Sequence, residues 1–182
     1  FKPDVVHCHD WQTGLIPVYL KDRFRGGEFF ANMKSVMTIH NLKFQGVWDV
    51  KTIQRFSMLP DYYFTPDKLE AYKDGNMLKG GIVFADAITT VSQTYAEEIK
   101  MPFYGEGLDG LMRARSGDLR GIVNGIDYDE FNPETDKLIA QPYNAKNFRK
   151  EKGKNKKQLQ AQLGLPVDEK KFMVGIVSRL TD

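Results

Sequence analysis

The sequence predicts an α/β fold, built on a mainly parallel sheet with flanking helices. Short β-branched runs alternate along the chain with helically spaced apolar residues, a rhythm typical of sheets that helices cover on both faces. Polar residues also follow several of the predicted strands directly. Ligands of open parallel sheets bind outside the carboxyl ends of the strands, so these polar residues are the first candidates for a functional site.

The first part of the chain contains two predicted strands. A β-branched run at 4–9 predicts a strand, and the helical spacing over 13–23 predicts the helix that follows it. A second strand is predicted at 35–39. The loop after it carries Gly46 between two large aromatic residues.

The middle of the chain predicts a helix and two further strands. Apolar positions over 76–85 indicate a helix, and β-branched residues over 87–91 indicate a strand. Ser92 is placed to cap the next helix, because its hydroxyl can accept a hydrogen bond from a free N–H of the first turn. A glycine-rich loop at 105–110 precedes a strand predicted at 119–123.

The character of the sequence changes beyond residue 133. Seven basic residues between 146 and 157 are opposed by Glu151 alone, and leucines follow them. We predict a surface helix that ends at Gly164, then a strand from 171 or 172 to 177. This order indicates the opening of a second α/β domain.

Composition excludes several classes of protein. The chain has 182 residues with a net charge of +2 and 41% hydrophobic residues, and no apolar run approaches the roughly 20 residues of a membrane span. Cys8 is the single cysteine, so no internal disulfide forms, and a cytoplasmic location is predicted. The basic tract is interpreted as a solvated helix face rather than a nucleic-acid site, because its charge is offset elsewhere.

Three other kinds of chemical site have little support in the sequence. His7 and His9 share one face of a strand, as metal ligands often do, but among the remaining residues only His40 adds an imidazole, so no metal is predicted. Cys8 lies inside an apolar strand, where a thiol is usually a core side chain. The glycines of 105–110 match a dinucleotide fingerprint, but they follow no strand and carry two acidic residues.

The remaining polar residues suit a sugar. They are Asp10, Trp11, His40 and Asn124. The carboxylate, imidazole and amide can hydrogen-bond to hydroxyls, and the aromatic face of the tryptophan can stack on a sugar ring. Arg179, after the last predicted strand, adds a guanidinium suited to phosphate. These residue types favour a phosphorylated or nucleotide-linked sugar over a purely structural role.

Specific strings support this interpretation and extend over nearly the whole chain. They lie at 3–15 (PDVVHCHDWQTGL), 38–42 with 45–46 (TIHNL, QG), 85–92 (ADAITTVS), 123–127 with 132–136 (VNGID, NPETD) and 177–181 (VSRLT). In this order they resemble the bacterial glycogen synthase and plant starch synthase family. The resemblance implies a two-Rossmann-domain (GT-B) retaining glucosyltransferase. Such an enzyme moves glucose from ADP-glucose to the non-reducing end of an α-1,4-glucan and needs no metal or other cofactor.

The resemblance also implies domain limits and residue roles. Residues 1–132 would form the latter part of the N-terminal, acceptor-side Rossmann-like domain. Residues 133–182 would form a linker and the beginning of the nucleotide-sugar-binding domain. His40, beside the donor glucose, and Asp10 would be catalytic. Trp11 and Asn124 would contact sugar, and Arg179 would bind the ADP diphosphate.

Some features of the family have no counterpart in this chain. Its Lys-x-Gly-Gly loop and its paired glutamates are absent, so we expect the isolated chain to lack transferase activity and to self-associate through exposed strand edges. The alternatives are another retaining glycosyltransferase of the same fold, such as a sucrose synthase relative, and a non-catalytic carbohydrate-binding or scaffold piece. The choice between ADP-glucose and UDP-glucose also stays open.

Overall fold

The structure, a computed structural model, describes residues 1–179. The chain forms two compact units, and the first of them ends at Asn124. The first unit comprises, in chain order, β1 (Val5–His9), α1 (Leu15–Lys21), β2 (Lys34–Ile39), β3 (Val47–Trp48), α2 (Val50–Ser57), β4 (Glu70–Ala71), β5 (Asp74–Asn76), α3 (Met77–Phe84), β6 (Ala87–Thr90), α4 (Gln93–Glu98), α5 (Asp109–Ala114) and β7 (Leu119–Gly121). The second unit begins at Gly125 and contains α6 (Phe148–Gln162). The predicted domain limit at 132 remains a prediction.

The main sheet is parallel, which confirms the predicted α/β class. Its strand order is β1-β2-β6-β7, and all three neighbouring pairs run in parallel. The register aligns Cys8 with Met37, Met37 with Ile88 and Ile88 with Leu119. All four are buried, so one row of apolar side chains crosses the sheet and forms the centre of the core.

Helix α3 packs closely on this row despite its two glycines. A Cβ placed on Gly81 would lie 2.3 Å from Cε of Met37 and 3.1 Å from Cα and the carbonyl oxygen of Gly14, so a larger residue there would push the Met37 side chain aside and crowd the backbone at Gly14. The helix begins at the side chain of Asn76, whose Oδ1 accepts the N–H of Lys79 at 2.8 Å. At its other end, the Arg115 guanidinium donates to the carbonyls of Ile82, Val83 and Ala85. Both helix ends are therefore satisfied by side chains.

An ionic contact ties the amino ends of β2 and β6 to α1. Oδ1 of Asp86 lies 2.6 Å from Nζ of Lys21, and Oδ2 accepts the backbone N–H of Ser35 at 2.8 Å and its hydroxyl at 3.1 Å. Burial alone would raise the pKa of Asp86, but these contacts outweigh it and lower the pKa to about 2. The contact therefore holds the edge of the sheet opposite to the strand ends that carry the predicted site residues.

Several local predictions are corrected by the structure. The helix predicted over 13–23 is a 3-10 turn at Trp11–Thr13 followed by α1, and the strand predicted over 119–123 ends at Gly121. The strand predicted to run from 171 or 172 to 177 is not formed, because no neighbouring strand in the described part of the chain pairs with it. Helix α2 and a small antiparallel sheet, β3-β5-β4, were not predicted.

Other local predictions hold. Ser92 Oγ accepts the N–H of Tyr95 at 2.8 Å and caps α4 as expected, and Cys8 is fully buried in the core. In the second unit, α6 is followed by Gly164 with a φ of 66°, the conformation that commonly ends a helix. No helix within residues 1–179 is both long and apolar enough to cross a membrane.

Candidate active site

Asp10 and His40 meet at the carboxyl ends of β1 and β2. Oδ1 of Asp10 accepts the backbone N–H of His40 at 2.8 Å, and the backbone N–H of Asp10 donates to the carbonyl of Thr38 at 3.0 Å. Asp10 adopts φ 53° and ψ −169°, a conformation that costs a residue other than glycine about 1–3 kcal/mol. Contacts on both sides of the residue hold this strained backbone in place.

The turn after Asp10 is fixed by Thr13. The Thr13 hydroxyl accepts the backbone N–H of His9 at 2.6 Å and lies 2.8 Å from the carbonyl of the same residue. The 3-10 turn thus folds back on the end of β1, and it begins at Trp11, directly after Asp10. Two of the predicted site residues therefore leave the sheet from one turn.

Three imidazoles lie in a row along the same edge. The rings of His7 and His9 have centroids 4.3 Å apart, and Nδ1 of His9 lies 3.0 Å from Nε2 of His40. Partial loss of hydration lowers the pKa of His9. The neighbouring His7 and His40 also lower it, whereas Asp10 acts in the opposite direction. His9 is therefore held in its neutral form to a lower pH than an ordinary histidine.

The histidines contact one another and the sheet rather than a common centre. Nε2 of His7 lies 2.6 Å from Oγ1 of Thr38. In the part of the chain that the structure describes, no group of three or more His, Cys, Asp and Glu residues could hold a metal ion. The arrangement suits hydrogen bonding to a ligand at the exposed end of the row.

Trp11 forms one wall of an aromatic groove. The groove has a volume of about 380 Å³, and its lining comprises Trp11, Lys43, Phe44, Gln45, Gly46, Val47 and Trp48. Trp11 meets Trp48 edge to face, with ring centroids 5.3 Å apart. Phe44 is 54% exposed and Trp48 is 40% exposed, so both present apolar surface to a ligand. No carboxylate lines the groove, and its aromatic character is typical of a surface that holds sugar rings.

In the wall of the groove, Gly46 packs directly on Trp11. Gly46 has a φ of 63°, and a Cβ there would lie 2.6 Å from the Trp11 ring. The carbonyl of Gly46 accepts the N–H of Met77 at 3.1 Å, and the Gln45 side chain accepts a hydrogen bond from Asn76 at 2.5 Å. The wall of the groove is thus attached to the start of α3.

Sequence reasoning did not identify Phe44 and Trp48 as candidate ligand contacts. It placed them only as large aromatics in a loop. Their closeness in sequence to His40 was the available signal, but the contact between Trp11 and Trp48 joins residues 37 positions apart and emerges only in the fold.

Asn124 lies at the same edge of the sheet but farther along it. It follows β7, which is separated from β2 by β6, so its strand runs about 10 Å from that of His40 at the usual spacing of neighbouring strands. Asn124 is exposed, and no hydrogen bond joins it to Asp10 or His40 among the described residues. Its contact with sugar remains a prediction.

Arg179 belongs to the second unit and is exposed. Its role toward a diphosphate stays a prediction. The predicted string 177–181 continues into residues 180 and 181, which lie outside the described residues.

Comparison with known proteins identifies relatives along the whole chain. Residues 1–114 match the starch synthase catalytic domain family. The glycogen synthase of Lachnospira eligens is 70% identical over 182 residues, which cover 100% of this chain and 38% of that protein. The glycogen synthase of Thermotoga petrophila is 54% identical over 179 residues, covering 98% of this chain and 36% of that protein.

A solved structure agrees with these relatives. The catalytic domain of Starch Synthase IV from Arabidopsis thaliana, bound to ADP and acarbose, superposes with a TM-score of 0.77 at 34% identity, covering 91% of this chain and 34% of that one. The chain thus spans less than two fifths of the length of the relatives it matches.

Proposed function

The chain belongs to the starch synthase catalytic domain family, and from that premise we propose that it is a segment of a glycogen synthase. The enzyme would transfer glucose from ADP-glucose to the non-reducing end of an α-1,4-glucan with retention of configuration, within a GT-B fold. The observation that carries the proposal is the contact of Asp10 with His40 beside an aromatic groove.

The reaction breaks the bond between the anomeric carbon and the diphosphate oxygen, and positive charge develops at that carbon. The 4-hydroxyl oxygen of the glucan forms the new bond to the anomeric carbon, its proton passes to the departing diphosphate, and ADP is released. We place His40 beside the donor glucose, where its imidazole faces the developing charge. Oδ1 of Asp10 holds the His40 backbone, and its Oδ2 accepts no hydrogen bond from the described residues, so it is available to a sugar hydroxyl.

The aromatic groove would bind the glucan. Glucose rings have apolar faces that stack on indole and phenyl rings, and Trp11, which lines the groove, follows Asp10 directly in the chain. The bound acarbose of the Arabidopsis enzyme, itself a sugar-like chain, supports an oligosaccharide as the ligand class. The groove lies wholly within the first unit, so this chain alone should bind maltoheptaose.

On the nucleotide side, we propose that Arg179 binds the diphosphate and Asn124 the glucose. Charge accumulates on the diphosphate as the bond breaks, and a fixed guanidinium stabilises that charge more in the transition state than in the ground state. One such contact contributes about 3 kcal/mol. The ADP bound in the Arabidopsis enzyme supports an adenine nucleotide, and UDP-glucose is the alternative donor to test.

Incorporation of glucose into glycogen by the full-length protein tests the proposal. With ADP-glucose we expect turnover, and His40→Ala should lower kcat about 10²-fold or more with little change in KM, because the imidazole acts on the transition state. Arg25→Ala, an exposed change, is the control. Full-length wild type that transfers glucose from neither ADP-glucose nor UDP-glucose would overturn the proposal.

The proposal also covers two properties of the isolated chain. We propose that the chain alone transfers no glucose and that it self-associates. Val5 on the edge strand β1 is 51% exposed, and exposed apolar strand edges promote association. Light scattering measures this, and a strictly monomeric species at all concentrations would contradict it.

A further inference from the structure

The orientation of the His40 ring depends on one neighbour. His40 lies beyond the end of β2 and is exposed, and its backbone alone is held by Asp10. Among the described residues, its side chain forms one hydrogen bond, between Nε2 and Nδ1 of His9 at 3.0 Å. The two rings have centroids 5.3 Å apart and are tilted by 32°.

His9 is itself held from two directions. Its backbone is bonded to Thr13, and its ring lies 4.3 Å from that of His7, centroid to centroid. His7 in turn bonds Thr38, and Oγ1 of Thr38 lies 2.6 Å from Oγ1 of Thr89 on the next strand. A continuous series of contacts therefore runs from the middle of the sheet to the His40 ring.

The bond between the two imidazoles also couples their tautomers. Two neutral imidazoles share one hydrogen, so one ring donates and the other accepts. Nε2 of His40 is occupied in this way, and Nδ1 is left to face a ligand, as an acceptor when Nε2 donates to His9 and as a donor when Nε2 accepts. If both rings were protonated, two donors would face each other at 3.0 Å and the bond would break. The lowered pKa of His9, which faces His7, His40 and Asp10, acts against this.

From this geometry we infer that His9 is a positioning residue: through Nδ1 it fixes the ring orientation of His40 and couples the His40 tautomer to its own. The inference rests on the proposed function, because it assigns His40 the group that faces the sugar. His9 itself would touch neither substrate.

Two isosteric substitutions separate this role from a structural one. An asparagine amide reaches about as far as Nδ1 of histidine, whereas a glutamine amide reaches the position of Nε2. Because the bond uses Nδ1, we expect His9→Asn in the full-length protein to keep kcat within about 3-fold of wild type. His9→Gln and His9→Ala should lower kcat about 10-fold or more, with KM for ADP-glucose little changed, since small misplacements of catalytic groups are costly.

His7 provides the matched control. His7 bonds Thr38 through Nε2, so at this position the glutamine variant, His7→Gln, should keep the contact and the asparagine variant should lose it. In the His40→Ala background, His9→Ala should add little further loss, since residues that act as a unit are not additive.

A spectroscopic measurement tests the same point without activity. Imidazole nitrogen NMR of the full-length protein should show a hydrogen-bonded Nε2 of His40 in wild type and in His9→Asn, and the loss of that bond in His9→Ala. Equal kcat in the Asn, Gln and Ala variants, together with an unchanged His40 Nε2 signal, would overturn the inference. An inactive wild type with the expected change at Nε2 would instead count against the proposed function alone.

Discussion

Replacing Asp86 with alanine should destabilise the first unit markedly. The Asp86 side chain is 22% exposed, and its carboxylate accepts hydrogen bonds from the Lys21 ammonium and from both donors of Ser35. Its pKa of about 2, against an ordinary value of 3.8, corresponds to about 2.5 kcal/mol at 1.36 kcal/mol per unit. Asp86→Ala should therefore lower the free energy of unfolding at pH 7 by about 2–3 kcal/mol, because the Ser35 N–H also loses its acceptor.

The pH dependence gives the sharper test. A carboxylate whose folded-state pKa is lowered contributes fully above pH 3.8, and its contribution is lost as the pH falls toward 2. Wild type should thus lose about 1 kcal/mol from this group alone between pH 7 and pH 3, a loss that Asp86→Ala lacks. Urea unfolding followed by tryptophan fluorescence measures both values, with Glu28→Ala as an exposed control. A difference below about 1 kcal/mol at pH 7, or the same pH dependence in both proteins, would refute the reasoning.

Substitutions at three further positions test the groove and α3. Gly46→Ala should lower the free energy of unfolding by about 1–3 kcal/mol and weaken maltoheptaose binding, because the new Cβ overlaps an indole ring. Gly110→Ala, whose new Cβ has no atom nearer than 3.7 Å, should have neither effect. Urea unfolding measures the stability, and calorimetric titration measures the binding. Asn76→Ala should cost about 1–2 kcal/mol in urea unfolding, and Asn76→Asp should recover part of it by keeping the cap acceptor. Arg115→Lys should lower the free energy of unfolding by about 2 kcal/mol, since one ammonium cannot reach three carbonyls, and Arg113→Lys should change it by less than about 0.5 kcal/mol.

Most of the main sheet could be predicted from the sequence because β1, β2 and β6 have four to six residues each and contain enough β-branched residues to carry a local signal. The meeting of Asp10 and His40 followed from the same reasoning, since both residues come directly after strands of one parallel sheet. This part of the site depends on strand order and needs no knowledge of individual side chains.

The rest depends on contacts that local patterns do not encode. Strands β3, β4 and β5 have two or three residues each, too few for an alternating pattern. The groove requires Gly46 against Trp11, and the histidine row requires His9 against His40, pairs that lie 35 and 31 positions apart. The run at 172–177 has the composition of a strand, but composition does not supply a neighbour to pair with.

The strained backbone of Asp10 has a consequence for engineering. Glycine would adopt its φ of 53° and ψ of −169° without difficulty, so Asp10→Gly relieves roughly as much strain as the lost hydrogen bond to His40 contributed. Heat resistance would then be nearly indifferent to a change that deletes a proposed catalytic carboxylate. Directed evolution scored on melting temperature alone would let this position drift, and only a screen that counts product would retain the acid.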